Sequence, residues 1–374
     1  MITRDTIQKL IHRAPTNRPV MSLYLDMSVN AENKRTYQVF LQQQRAQHSE
    51  LDSDRPGHHR EPLGAALERV TTWIDENFQQ SNRGLVLFTE VGGNDLEVLQ
   101  LPVAVPNRLV LAERPVIGPL AQVLASHRHY GIALVDREHC RLAGFYLGEL
   151  RHHKEISPDA YPTPHDVHKG GYAAKDYQKY KAEETRQFFR QFANEMSELD
   201  RRHNFDHWIL LGTVENVRNF CEYLPDAINN RVVHTAHSSV DASDTDILER
   251  LTPFFAEQSL HDEAATVDLV RDRLRTRHLA AGGMRDTLIQ LQEGKVDTLV
   301  LARDLSEPGA QCTRCAFYLD KRDGSCPYCG GEVRSGVDLA ESMIRMAAEQ
   351  EVELEFVDPA PLSDVGGVAA LLKF

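Results

Sequence analysis

No stretch of this 374-residue sequence approaches the roughly 18 consecutive apolar residues that a membrane-crossing helix needs. The opening MITRDTIQ contains no apolar core of a signal peptide, so a cytosolic location is expected, and with it reduced thiols. There is no P-loop, no dinucleotide-binding glycine fingerprint and no recognisable Ser-His-Asp set, which removes the commonest nucleotide and hydrolase chemistries. Internal repeats and low-complexity tails are also missing. Nor is positive charge in excess: 42 Lys and Arg stand against 55 Asp and Glu, a formal net charge of -13. That balance argues against a general nucleic-acid coat protein, which is normally basic overall, yet leaves room for local basic loops that dock on RNA.

The length exceeds what one hydrophobic core usually serves, so two or three domains are expected. Hydrophobic residues at 41% and charged residues at 26% are ordinary for a globular protein. Patterning divides the chain into three: residues 1–126, 127–243 and 244–374. In the first, residues 20–25 and 84–88 read as buried strands, 34–48 as a polar helix, 52–61 as a loop, 63–78 as an amphipathic helix and 91–95 as a turn. In the second, residues 130–136 and 140–147 suggest a hairpin, followed by a polar loop over 152–171. A long helix over 173–202 then carries one apolar face through Phe188, Phe189, Phe192, Met196 and Leu199. A buried strand at 207–212, a helix and a strand at 232–234 complete it. In the third, helices run to about residue 278 and another starts near residue 282. Strands at 296–301 and 352–357 flank a cysteine-bearing insertion and a helix over 336–350. Strands and helices mix throughout, an α/β layer architecture.

Cys312-x-x-Cys315 and Cys326-x-x-Cys329 are separated by ten residues. Each pair can turn a tight knuckle, and four thiolates fill a tetrahedral zinc shell with no position left for water, so the site is structural and not catalytic. Gly330 and Gly331 supply the backbone freedom the second knuckle needs. The competing reading is four unrelated thiols or two redox pairs. Cys140 and Cys221 sit in strand-like and helix-like contexts and read as core thiols.

The segment His168-Lys169-Gly170-Gly171-Tyr172-Ala173-Ala174-Lys175-Asp176-Tyr177-Gln178-Lys179-Tyr180-Lys181 joins a polar loop to the long helix. It resembles the archaeo-eukaryotic class-1 release factor and Pelota superfamily, in whose middle domain a Gly-Gly-Gln loop heads a helix with small, aromatic and basic residues in this order. The resemblance extends to the strand at 130–136, the helix–strand unit at 286–300, the knuckle insertion and the glycine-rich closing strand at 365–374. The order of the first-domain strands agrees with it too. It implies a three-domain release-factor/Pelota-like architecture: an N-terminal decoding-site-like domain, a middle domain with the Gly-Gly loop, and a C-terminal ribosomal-protein-like domain carrying the zinc insertion.

Two departures shape what the resemblance implies. Tyr172 stands where the release factors have the glutamine that helps water attack peptidyl-tRNA. A phenol cannot reproduce that amide's geometry, and Gln178 lies six residues further along the helix. The stop-codon tetrapeptide Asn-Ile-Lys-Ser is absent, and Asn30-Ala31-Glu32-Asn33-Lys34-Arg35 occupies the comparable region. The implied function is therefore a factor of a bacterial branch that occupies the A site of idle or stalled ribosomes (hibernation) without peptide release. The alternative is a peptidyl-tRNA hydrolase, rescue or release factor acting through the altered Gly-Gly-Tyr loop. On the resemblance, ribosome or tRNA contacts fall on His165, His168, Lys169, Gly170, Gly171, Tyr172, Lys175 and Lys179, with Asn30, Asn33, Lys34 and Arg35 at the decoding end. The implied partners are rRNA of both subunits and elongation factor Tu or another translational GTPase. His152 and His153, with His165 and His168, read as loop polarity and RNA hydrogen bonding rather than metal ligands.

Overall fold

The apolar runs at 20–25, 84–88, 130–135, 207–212 and 296–302 form strands that are largely buried on both faces. The computed structural model describes residues 4–13, 18–29, 35–51, 60–157, 171–320 and 324–374, with side chains described except at 4–6, 48–51, 60–62, 171–180 and 182. The expected loop at 52–61 falls almost wholly outside these. The chain divides into two compact units, Met1–Ser126 with Gln258–Phe374, and His127–Glu257.

The first unit begins with α1 (Arg4–Ile11), β1 (Val20–Asp26), α2 (Tyr37–Leu51), α3 (Arg60–Asn77), β2 (Gly84–Glu90), β3 (Glu97–Leu101), β4 (Arg108–Ala112) and α4 (Gly118–Ala125). Its antiparallel sheet has the order β3-β2-β1-β4. Alternation along β1 sends Met21, Leu23 and Leu25 against Leu63, Leu67 and Val70 of α3. The other face buries Ser22, Tyr24 and Phe88. There the Tyr24 hydroxyl donates to the Val116 carbonyl at 2.6 Å, and the Val116 N–H donates to Ser22 Oγ at 2.9 Å. These bonds hold the approach to α4 against the sheet.

The second unit contains β5 (Tyr130–Val135), β6 (Cys140–Tyr146), β7 (Glu149–Ile156), α5 (Gly171–His203), β8 (His207–Gly212), α6 (Val214–Cys221), α7 (Asp226–Asn229) and β9 (Val232–Ala236). The sheet order is β7-β6-β5-β8-β9, with β5, β8 and β9 parallel. The apolar face of α5, through Phe188, Phe189, Phe192 and Met196, buries against Trp208 and Phe220. Asp200 at the end of that helix accepts the Trp208 Nε1–H at 2.9 Å, so the one polar atom of the indole is satisfied. Two expectations change here. His152 and His153 lie on β7, an edge strand, and not in a loop; its ELRHHKEI sequence is too polar to show as a strand. Second, α8 (Asp244–Thr276) is one helix through Pro253, where several were expected. Ile247 and Leu251 on its first half pack against Tyr130 and Ile132, and Phe255 stacks on Phe145 at 4.1 Å between centroids, which offsets the lost proline hydrogen bond.

From Gln258 onward α8 belongs to the first unit, followed by β10 (Ala280–Gly282), α9 (Met284–Gln292), β11 (Val296–Ala302), β12 (Pro308–Cys312), β13 (Tyr318–Leu319), β14 (Val333–Asp338), α10 (Leu339–Glu349), β15 (Glu353–Val357) and β16 (Val368–Leu372). They form a mixed sheet, β10-β16-β11-β15, and a small antiparallel one, β13-β12-β14, that carries the cysteines. The helix expected from residue 336 starts at Leu339, because residues 336–338 finish β14 and Asp338 caps the helix, accepting the Ala340 N–H at 3.0 Å.

One buried pair ties the two ends of the sequence together. Glu341 on α10 accepts the N–H groups of Ile117 at 2.7 Å and Gly118 at 2.9 Å, at the start of α4. Arg345, one turn on and buried, donates to the carbonyls of Ile11 and Pro115. A Cβ on Gly118 would sit 2.8 Å from Glu341 Oε2, so a side chain there would push the carboxylate off these N–H groups.

Candidate metal centre and the glycine-loop helix

The four cysteines of the quartet come together on the β12–β14 sheet. Their sulfurs all lie within 4.8 Å of one another, with Cys312 to Cys329 at 3.5 Å and Cys315 to Cys326 at 3.6 Å. Bonds of about 2.3 Å at tetrahedral angles require sulfurs about 3.8 Å apart, so the cage has the size a zinc ion needs. Both knuckles are built alike from the backbone. The Ala316 N–H bonds the Cys312 carbonyl at 3.0 Å, and the Gly330 N–H bonds the Cys326 carbonyl at 2.9 Å. Gly330 takes a left-handed φ of 67°, and a Cβ on Gly331 would meet Cys312 Sγ at 3.2 Å and Arg314 Cβ at 2.8 Å. The two glycines serve the knuckle, one by conformation and one by close approach.

The electrostatics point the same way. N–H groups of Cys315 and Arg314 aim at Cys312 Sγ at 3.5 and 3.4 Å and draw its thiol down to about 6. The Phe317 N–H also pulls Cys315 down, but burial and the neighbouring sulfurs outweigh it and push that thiol up to about 12. Four thiols this close cannot all ionise alone, and a divalent cation resolves the conflict. The four sulfurs can therefore hold a metal such as zinc. Cys140, by contrast, is buried, and desolvation drives its thiol far up.

The long helix starts at Gly171 and runs 33 residues. It places Gly171, Tyr172, Lys175 and Lys179 in its first turns, whereas His165, His168, Lys169 and Gly170 lie outside the described residues. Lys181, the last basic residue of the segment, pairs with Glu184 at 2.8 Å and Glu138 at 3.4 Å, which holds its ammonium charged and raises its pKa. At the other end of the sequence, Asn30, Asn33 and Lys34 are outside the described residues, and Arg35 is within them. Arg35 bridges Val29 and lays its guanidinium over the Phe78 ring at 4.9 Å, with Nε buried and without a hydrogen bond in the described structure. His152 Nε2 lies 2.6 Å from Asp244 Oδ1, and the His153 ring packs at a tilt against His203, 4.2 Å between centroids. Burial and the nearby His203 and His129 lower the His153 pKa. Both rings are engaged inside the unit.

Residues 115–254, most of the second unit with the segment before it, match bacterial archaeo-eukaryotic release factor family 10. The chain is release-factor-like. Peptide chain release factor subunit 1 of Thermococcus onnurineus is 22% identical to it over 352 residues, covering 85% of this chain and 84% of that protein. The protein of the same name from Methanobrevibacter smithii is 22% identical over 353 residues, covering 84% of each. A structure titled as ribosome-bound archaeal Pelota is 13% identical, covering all of this chain and 94% of its own, with a TM-score of 0.41. Within this release-factor-like chain Gly171 heads α5, and the cysteine cage lies in the C-terminal region.

The sequence did not reveal the Glu341–Arg345 clip. Its one local sign was an i, i+4 Glu–Arg pair, the usual mark of a solvated helix face.

Proposed function

We propose that this release-factor-like chain fills the A site of idle or stalled ribosomes and performs no peptide release, as a hibernation factor of the Balon type. The observation that carries the reading is Tyr172 directly after Gly170 and Gly171, at the head of the long helix. A scaffold that delivers a loop to peptidyl-tRNA while offering a phenol in place of an amide can occupy the site and still leave the ester unattacked. The family match over residues 115–254 and the release factors among its relatives support the ribosome as partner.

In this reading residues 1–126, 127–243 and 244–374 act as three domains. His165, His168, Lys169, Gly170, Gly171, Tyr172, Lys175 and Lys179 face the peptidyl-transferase centre, and Asn30, Asn33, Lys34 and Arg35 face the decoding site. Lys and Arg on such loops supply phosphate contacts to the rRNA of both subunits, and a tyrosine ring such as that of Tyr172 is suited to stack on an unpaired base. Zinc fills the cysteine cage and stiffens the C-terminal region. Elongation factor Tu or another translational GTPase delivers the factor.

Incubating the purified protein with ribosomes that carry peptidyl-tRNA tests the absence of chemistry. The protein should co-sediment with them and release no peptide above the buffer rate. Peptide release that disappears in Tyr172→Phe or Gln178→Ala would instead make it a hydrolase.

A further inference from the structure

In a chain with a net charge of -13, one end of the C-terminal sheet gathers cations. α8 closes with Arg271, Arg273 and Arg275, Arg277 and His278 follow in the turn, and Asp272 is the one acid among them. The helix stops because Arg277 adopts a left-handed φ of 53°, with the Arg277 N–H bonded to the Leu274 carbonyl and the His278 N–H to the Arg273 carbonyl at 3.0 Å. That turn feeds into β10, which pairs Ala280 with Leu371 of β16. The Leu372 N–H bonds the Leu279 carbonyl at 3.0 Å, so the turn that carries Arg277 and His278 ends alongside the last residues of β16. On its other side Lys373 donates its N–H to the Lys295 carbonyl at 2.9 Å. Three neighbouring segments thus bring the turn with Arg275, Arg277 and His278, the end of β16 with Lys373, and Lys295 into one basic row at this end of the sheet.

The acids nearby are few. Asp272 pairs with Arg275 at 3.2 Å, Glu293 pairs with Lys295 at 2.6 Å, and Asp297 stands exposed on β11. Arg277, His278 and Lys373 are exposed, and their side chains have no hydrogen bond or ion pair among the described residues. Phe374, next to Lys373, is an exposed large apolar side chain beside the row, whereas a protein interface needs a broader apolar centre. Phosphates need only the charges and the forked guanidinium donors.

We propose that this row binds the phosphate backbone of ribosomal RNA, a contact separate from the glycine loop. It rests on the ribosome-binding reading above. The probe is a comparison of the full-length protein with Arg277→Asn/Lys373→Gln and with the charge-keeping Arg277→Lys/Lys373→Arg. Asparagine tolerates the left-handed backbone, and equal melting temperatures establish that all three fold. Binding to ribosomes and to poly(U) is measured from 50 to 300 mM KCl.

Removing one cation that neutralises a phosphate should flatten the dependence of log K on log salt by about 0.7 to 0.9. The neutralised variant should therefore bind both ligands several-fold more weakly at low salt and with a shallower slope, while the charge-keeping variant behaves as wild type. Unchanged slopes on both ligands overturn the proposal. Weaker ribosome binding with an unchanged poly(U) slope also overturns it, because the partner is then a ribosomal protein. Failure of the wild type to bind ribosomes overturns the broader reading, and the poly(U) comparison still decides the row.

Discussion

At the scale of single residues, the cysteine cage is the most completely specified part of the molecule. Four sulfurs, two N–H groups on Cys312 and two glycines with distinct duties converge on one volume. Elemental analysis should find about one zinc per chain, and Cys326→Ser should lose most of it, because three sulfurs cannot close the tetrahedral shell. An unchanged zinc content in that variant would contradict the assignment. This site was legible in advance because ligand spacing within a knuckle is local in sequence, and the structure only adds why Gly331 cannot carry a side chain. Arg35 was legible as a basic residue, expected on the resemblance to lie at the decoding end. Its seat over Phe78 was not, since that contact joins positions 43 residues apart.

At the scale of elements, the legible strands are the ones buried on both faces: β1, β2, β5, β8 and β11 run apolar almost without interruption. Among the strands missed, β3, β4 and β7 are edges and keep polar or half-exposed faces. The helix α4 was missed as well, and its docking depends on Glu341 from the far end of the sequence. That carboxyl group makes a pH prediction. Burial pushes it up to about 7 from an ordinary 4.5, although the Ile117 and Gly118 N–H groups and Arg345 pull it down. A folded-state value above the unfolded one means its contribution is full below about 4.5 and fades as pH rises through about 7. The urea midpoint of wild type relative to Glu341→Gln should therefore decline between pH 5 and pH 8. A constant difference across that window would show that the carboxyl group ionises as freely in the folded chain as in the unfolded one.

At the scale of the whole molecule, residues 1–126 and 258–374 share one compact unit while residues 127–257 form the other. The sequence divided the chain by pattern and could not show this pairing, because α10 reaches α1 and the start of α4 across more than two hundred residues. The release-factor likeness is also a whole-chain property, seen in relatives aligned over more than four-fifths of the sequence. In the proposed function, Tyr172 changes the outcome from cutting peptidyl-tRNA to holding the place of a tRNA. The central claim is therefore occupancy of the A site, and competition measures it directly. Vacant ribosomes should bind the protein, and ribosomes whose A site already holds a tRNA should not. Equal binding to both would place the protein elsewhere on the ribosome and contradict the account.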